Sequence, residues 1–163
     1  MASTFLNVKV AVGSDVLKYI DPEQLELDYC ALLRQLHGAD TECSTTEFAE
    51  LLAARSELIV FMVNEGCLIA MGQASRIRTP PRHKVMIDNL VVATNHEADD
   101  LHKVVIERLL QEADQSWGSE TPLVFFINIS PTMENADWCR SMGFLPFSEA
   151  EGALQTVWER RFG

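Results

Sequence analysis

The sequence predicts one α/β (α+β) domain in which a mixed, mostly antiparallel sheet is flanked by helices. Strand and helix signals follow one another in the order β, α, α, β, β, β, α, β, α, β, β along the 163 residues. Within residues 84–110 the hydrophobic period changes from 2 residues to about 3.6, which is the pattern of a strand that runs into an amphipathic helix. The 47% hydrophobic content suits a single domain over residues 1–163 with a full core.

The N-terminal segment predicts a strand followed by a helix. Residues 6–12 alternate well enough for a strand. Asp21 is placed as a helix N-cap, with Pro22 at the first helical position and Gln24 able to complete a capping box. The helix stops at Gly38. Its apolar stripe consists of Leu25, Tyr29, Leu32, Leu33 and Leu36.

A second helix and a hairpin follow. Ser44, with Glu47 three residues later, starts a helix with an apolar face. Residues 58–63 are wholly apolar, as expected of a central strand. The turn at residues 64–66 then returns the chain as residues 67–76, so that the two segments form a hairpin.

The second half of the chain is organised around residues 84–110. The strand at 85–92 is rich in β-branched residues, and an acidic turn without glycine connects it to a helix. The helix repeats apolar residues at Leu101, Val104, Val105 and Leu109. The remaining segments are predicted as a buried strand (123–129), a short helix (131–142) and two closing strands (144–147 and 154–161).

Composition limits the classes of partner. The net charge of −11 argues against nucleic acid, because phosphate binding needs a basic face. No apolar run approaches the roughly 18 residues of a membrane span, and no signal pattern opens the chain. These features predict a cytoplasmic or nuclear protein. The 4 cysteines form no CxxC pair, which predicts reduced and mostly structural thiols.

The order of elements resembles the GNAT superfamily of acyl-CoA-dependent N-acetyltransferases. The similar stretches are the hairpin followed by IDNLVV, the strand that runs directly into a long helix, and ENADWCRSMGFLPF. The N-terminal half, YCALLRQLHG followed by STTEFAELL, is most similar to the small glucosamine-phosphate acetyltransferase branch. The resemblance implies a sheet that is splayed between its fourth and fifth strands.

The resemblance to the GNAT superfamily also implies where acetyl-CoA binds. Leu90, Val91 and Val92 would line the cleft, and the backbone amides of Leu90 and Val91 would hold the thioester carbonyl. Asn135 corresponds to an asparagine beside CoA in the sugar-phosphate branch. The tyrosine that protonates the departing thiolate in the family falls at Cys139.

The turn after the fourth strand departs from the family pattern. Where the family has an arginine or glutamine and then two small residues, this chain has Glu97, Asp100 and His102. Side chains would stand where backbone amides wrap the pyrophosphate, and two of them are anionic. The turn therefore predicts weak or absent binding of acetyl-CoA. The same acids are also good N-cap and first-turn residues, a role that needs no cofactor.

Asp88 is the candidate general base. It interrupts the apolar strand where the superfamily often places this base, and partial burial would raise the proton affinity of its carboxylate. The alternative is a polar strand residue paired with a backbone amide. His83 and His96, at opposite ends of the same strand, are the next candidates.

A basic cluster lies between two strands, around Pro80 and Pro81. It could hold an anionic substrate or an acidic partner, or it could simply be a solvated loop. Its members are Arg76, Arg78, Arg82, His83 and Lys84.

Two functions remain open. The first is a divergent acyl-CoA-dependent N-acyltransferase that acts on a small-molecule or protein amine. The second is a GNAT-fold domain that has lost the cofactor and binds another protein in a regulatory role. A homodimer is compatible with either function.

Overall fold

The computed structural model describes residues 7–119, 121–129, 133–148 and 156–161. Its elements follow the predicted order, with short 3-10 turns at Gly13–Lys18 and Thr94–Asp99. The strands are β1 (Lys9–Val12), β2 (Glu57–Asn64), β3 (Cys67–Thr79), β4 (Arg82–Val92), β5 (Leu123–Ile129), β6 (Leu145–Ser148) and β7 (Thr156–Arg161). The helices are α1 (Pro22–His37), α2 (Thr45–Ala53), α3 (Leu101–Trp117) and α4 (Met133–Ser141). No helix among these residues is long and apolar enough to span a membrane.

The N-terminal ends of α1 and α2 are capped at the predicted residues. The Asp21 side chain accepts a hydrogen bond from the Glu23 amide at 3.0 Å, and Ser44 accepts one from the Glu47 amide at 3.3 Å. The prediction that Gln24 completes a capping box is wrong. Its side-chain amide donates to Asp28 at 2.7 Å, because residues four apart face each other on a helix.

The chain is organised in two compact units, and β3 and β4 contribute residues to both. The first unit draws on residues 1–73 and 89–112, and its strands follow the order β1-β2-β3-β4. β1 pairs antiparallel with β2, from Lys9 opposite Val63 to Val12 opposite Val60. Its core contains Val16, Leu25, Phe48, Phe61 and Met71.

Two apolar residues on the helices of the first unit depart from the predicted stripes. Leu36 on α1 and Val104 on α3 are each 40% exposed. On α3 the buried face instead includes Ile106, next to Leu101, Val105 and Leu109. The stripe is therefore shifted toward Ile106, since tertiary packing selects among apolar residues that the helical period alone leaves equivalent.

Gly72 on β3 marks the closest approach of the sheet to α3. A Cβ at this position would lie 2.6 Å from Cγ1 of Val105 and 3.0 Å from Cδ1 of Leu109. Because protein interiors are close-packed, any side chain at residue 72 must push the helix away from the strand.

We therefore expect Gly72→Val to lower the free energy of unfolding by about 1–3 kcal/mol, the usual cost of overpacking. Chemical denaturation of the purified variant measures this loss. Val105→Ala removes the nearest methyl groups, so the double variant should lose less than the sum of the two single variants. Wild-type stability of Gly72→Val would show that this contact is looser than the structure indicates.

A disulfide joins Cys30 on α1 to Cys43, just before α2, with their Cα atoms 5.8 Å apart. The prediction of reduced thiols is therefore wrong for this pair. Two cysteines 13 residues apart match no recognised sequence motif, and their sulfurs meet only because the chain folds back after α1. Disulfides persist mainly in oxidising compartments, so this bond points away from the predicted cytoplasmic location, which stays a prediction.

The second unit draws on residues 74–88 and 113–163. It contains the C-terminal part of β3, which is followed across the sheet by β4, β5, β7 and β6 in that order. β4 pairs parallel with β5, from His83 opposite Leu123 to Ile87 opposite Ile127. β5 and β6 each pair antiparallel with β7. Phe125, Ile127 and Phe144 are almost completely buried in this unit.

The predicted fold class is confirmed. The sheet is mixed: β4 and β5 pair parallel, whereas β1 with β2, β5 with β7 and β6 with β7 pair antiparallel. The prediction of a single domain over the whole chain stays a prediction.

Candidate functional site

Strand β4 is interrupted at Asn89, which has φ of 50° and thus a left-handed backbone conformation. Before it, Val85 and Ile87 are both buried; after it, Val91 and Val92 are buried in succession. Asparagine is among the few non-glycine residues that adopt this conformation readily. Asn89 therefore breaks the alternation of the strand immediately before Leu90, at the point where the sequence places the candidate site.

Asp88 precedes this interruption and is exposed. The expectation that its carboxylate is partly buried is wrong. Burial was the physical reason for choosing Asp88 as the base, so the choice now depends on the position of the residue alone. Its assignment stays a prediction. His83 and His96 are half-buried.

The side chain of Asn89 belongs to a chain of hydrogen bonds that we call the polar relay: His37, Asn89, Gln73 and Glu57. The ring Nε2 of His37 lies 2.7 Å from Oδ1 of Asn89. Asn89 donates from Nδ2 to Oε1 of Gln73 at 3.0 Å, and Gln73 donates from Nε2 to Oε2 of Glu57 at 2.9 Å. The polar relay thus connects the last residue of α1 with β4, β3 and β2.

A second contact fixes α1 to the end of β4. Gln35 donates from its side-chain amide to the backbone carbonyl of Val92 at 2.7 Å, and this bond is partly buried. The following residue, Ala93, donates its amide to the carbonyl of Ile69 on β3 at 2.8 Å. Together with the bond between His37 and Asn89, these contacts hold the last turn of α1 against residues 89–93.

Sequence reasoning missed the polar relay. Neither Asn89 nor His37 is among the candidate residues that the sequence predicts. The signal that could have found the site was Asn89 itself, because an asparagine within an apolar strand suggests a left-handed residue. Its partners lie 52 residues away at His37 and 16 residues away at Gln73, and no local pattern connects them.

The turn after β4 has an acidic residue, Asp100, at a position with a left-handed backbone conformation. Asp100 is exposed and adopts the left-handed conformation, with φ of 54° and ψ of 25°, directly before α3. Its carbonyl accepts a hydrogen bond from the amide of Lys103 at 3.2 Å. Glu97 lies within the 3-10 turn, and its side chain is outside the described residues. His102 is half-buried in the first turn of α3.

No protein-family model and no curated protein sequence matches the chain. Solved structures do match it. An acyl-CoA N-acyltransferase from Pseudomonas aeruginosa has a TM-score of 0.67 at 14% identity, over 94% of this chain and 99% of that one. A glucosamine-6-phosphate N-acetyltransferase from Arabidopsis thaliana also has a TM-score of 0.67, at 16% identity, over 88% of this chain and 95% of that one. A GNAT-family acetyltransferase from Streptococcus pneumoniae has the same score at 10% identity, over 96% and 100% of the two chains.

This chain has the GNAT N-acyltransferase fold. Identities of 10–16% show the fold and leave the activity open. In the GNAT fold predicted from the sequence, Asp100 occupies the position of the first family glycine. The structure gives Asp100 a backbone conformation that glycine adopts without strain. The turn thus has a glycine-like backbone at Asp100 and an acidic side chain.

Cys139, which the sequence resemblance assigns to the position of the GNAT tyrosine, is completely buried on α4. Burial raises the pKa of its thiol to about 12, and the charge of the neighbouring Arg140 opposes this shift without outweighing it. The thiol therefore stays protonated at neutral pH. Transfer of its proton to a thiolate of ordinary basicity, near pKa 8.5, would be unfavourable, because the two pKa values differ by about 3.5. Asn135, the other residue that the GNAT resemblance singles out on α4, has its side chain outside the described residues.

The burial of Cys139 leads to a prediction about thiol labelling. At pH 8 we expect iodoacetamide to modify exposed Cys67 and to leave Cys139 unmodified until the chain unfolds. Peptide mass spectrometry distinguishes the sites. Because the folded-state pKa of Cys139 is raised, its contribution to stability is present below pH 9 and is lost as the pH rises toward 12. Equal labelling of both cysteines in the native chain would contradict the burial.

The basic cluster does not present all of its charges to solvent. Arg76 lies over the ring of Trp117, with its Cζ 5.3 Å from the ring centroid, and its buried Nε has no hydrogen-bond partner in the part of the chain that the structure describes. His83 buries Nδ1, also without a hydrogen bond among the described residues. Arg78 and Arg82 are exposed, as is Lys84. Arg78, Arg82 and Lys84 are thus the members of the cluster best placed to meet an anionic group.

Proposed function

We propose that this chain is an N-acyltransferase that transfers an acyl group from a thioester to an amine. The observation that supports the proposal most strongly is the extent of the fold match. A structure named as an acyl-CoA N-acyltransferase corresponds to 94% of this chain and 99% of its own length. The correspondence therefore covers almost the whole chain. Leu90 and Val91 would hold the thioester carbonyl through their backbone amides.

Acetyl-CoA is the acyl donor that the fold suggests, and its pyrophosphate does not fit the turn before α3. The carboxylate of Asp100 stands at a helix N-terminus where the phosphates would need bare amides. We infer that CoA binding is weak, with a Kd above about 100 µM. Most of the CoA binding energy would come from the end of β4, at Leu90, Val91 and Val92. Glu97, Asp100, His102 and Asn135 would contribute less.

The acceptor would be a small-molecule amine or a protein amine, and the exposed Arg78 and Arg82 would suit an anionic group on it. Asp88 remains a proposed base on the strength of its position. Cys139 remains a proposed proton donor, and its burial makes it a poor one. The homodimer, the absence of nucleic acid and the cytoplasmic location remain predictions.

The proposal is tested by incubating the chain with acetyl-CoA that carries a ¹³C label in its acetyl group and with a panel of amines. Mass spectrometry then detects an acetylated amine that depends on the protein. Detection of released thiol by a disulfide reagent needs the Cys67→Ser variant, since the exposed thiol of Cys67 would itself react. Absence of product at millimolar acetyl-CoA, across small amines and protein lysines, would contradict the proposal.

A second function follows from the acidic turn. A domain that has lost CoA could use the same fold to bind another protein, and an exposed carboxylate at Asp100 would then carry no penalty. If acetyl-CoA neither binds nor is consumed, this regulatory function becomes the better account of the chain.

A further inference from the structure

We propose that His37, rather than Asp88, is the base that takes the proton from the ammonium form of the acceptor, and that Glu57, Gln73 and Asn89 are positioning residues that fix its tautomer. This inference rests on the proposed function. It starts from the polar relay, in which all four residues belong to the first unit.

Glu57 determines which group donates and which group accepts at each hydrogen bond of the polar relay. A carboxylate only accepts hydrogen bonds, so the group of Gln73 that faces Glu57 must be its NH₂. Glu57 is half-buried and lines a cavity of about 250 Å³, which leaves room for water beside the carboxylate. Gln73 consequently turns its carbonyl oxygen toward Asn89.

The orientation of Gln73 in turn determines the donor and the acceptor at the remaining two hydrogen bonds. The oxygen of Gln73 requires the NH₂ of Asn89, so Asn89 turns its own oxygen toward His37. This oxygen requires a proton on Nε2 of His37. In the neutral ring, the lone pair that can accept a proton is therefore on Nδ1. The opposite tautomer would lose one hydrogen bond, which corresponds to a preference of about fivefold for Nε2–H.

The protonation of His37 leaves the polar relay unchanged. When Nδ1 accepts a proton, Nε2 still donates to Asn89, so the imidazolium keeps the same contact and orientation. The step transfers one proton: an N–H bond of the ammonium group breaks, an Nδ1–H bond forms, and the free amine keeps the electron pair with which it attacks. A histidine held through its second nitrogen by another residue is the arrangement expected of a general base.

The location of His37 agrees with this role. The residue is exposed at the C-terminal end of α1, and no other hydrogen bond to its ring is present among the described residues. Its partner Asn89 directly precedes Leu90, whose amide is proposed to hold the thioester carbonyl. The contact of Gln35 with Val92 keeps this end of α1 against the strand.

The tautomer is tested by NMR on the full chain labelled with ¹⁵N-histidine, at a pH where the ring is neutral. Nitrogen shifts distinguish Nε2–H from Nδ1–H without any substrate. We expect His37 to be Nε2–H in the wild type. Glu57→Gln keeps the shape and the hydrogen bonds of the polar relay, but the new amide can either donate to Gln73 or accept from it. Donor and acceptor can then exchange at every bond of the polar relay, so His37 should shift toward a mixture of tautomers. A wild-type Nδ1–H tautomer, or no change in Glu57→Gln, would overturn the positioning role.

The base role is tested by turnover with an accepted amine. His37→Ala should lower kcat by about a hundred- to ten-thousandfold, and added imidazole should restore part of it, because a soluble base can replace the missing ring. Asp40→Asn is the control variant, since Asp40 is also exposed and lies three residues after His37 without belonging to the polar relay; we expect it to stay within about threefold of the wild type. Full turnover by His37→Ala would overturn the base role and leave the proposed function standing. Absence of turnover in the wild type, with the Nε2–H tautomer present, would remove the proposed function and leave the polar relay as a structural device.

Discussion

Replacing Glu97 with Arg and Asp100 with Gly is expected to strengthen acetyl-CoA binding at least tenfold, and up to about a thousandfold. Two like charges ~4 Å apart repel by about 4 kcal/mol at an effective dielectric constant near 20, which gives the upper value. Because Asp100 is exposed, salt screens part of this repulsion, and this gives the lower value. Glycine also adopts the left-handed backbone of residue 100 without strain.

The measurement is a calorimetric titration with acetyl-CoA at low and at moderate salt. Asp100→Asn separates charge from shape, because asparagine tolerates the same backbone and carries no charge. Glu107→Arg changes the net charge by the same amount as Glu97→Arg, at an exposed residue further along α3, and should have little effect. Sub-micromolar binding by the unmodified chain would show that the acidic turn does not oppose the pyrophosphate.

Removing the disulfide is expected to lower the free energy of unfolding by about 3 kcal/mol, the value for a closed loop of about 15 residues. The bond between Cys30 and Cys43 spans 13 residues and connects α1 to the start of α2. Without it, the unfolded chain gains the freedom of this loop, and the unfolding equilibrium constant rises by about a hundredfold.

Urea denaturation of Cys30→Ser/Cys43→Ser, compared with the oxidised wild type, measures this loss. Cys67→Ser is the matched control, since Cys67 is a free and exposed thiol, and it should leave stability unchanged. The reduced wild type should behave like the double variant. If the two cysteines in the oxidised wild-type chain react with iodoacetamide after unfolding without reductant, the bond is absent.

Local signals in the sequence predicted most of the elements. The Asp21 and Ser44 caps start α1 and α2 as expected, and Gly38, with φ of 113°, ends α1. The hairpin turn is formed by Glu65 and Gly66, both with positive φ. These features depend on residues that are close in sequence, so patterns of a few residues are sufficient to find them.

The parts that the sequence did not predict are set by contacts between distant residues. His37 and Asn89 are 52 residues apart, and the Cys30–Cys43 bond has no recognised spacing. Gln24 could bond to its cap or to Asp28, and only the folded side chains decide between these partners. The exposure of Asp88 depends on how β4 is interrupted one residue later, at Asn89.

The central claim, that the end of β4 holds an acyl thioester, is tested most directly by the amide NMR shifts of the ¹⁵N-labelled chain during a titration with acetyl-CoA. This method detects binding in the range above about 100 µM that the acidic turn predicts. We expect saturable shifts at the amides of Leu90 and Val91, larger in Glu97→Arg/Asp100→Gly at the same ligand concentration. Unchanged Leu90 and Val91 amides at millimolar acetyl-CoA, in the wild type and in this variant, would contradict the claim.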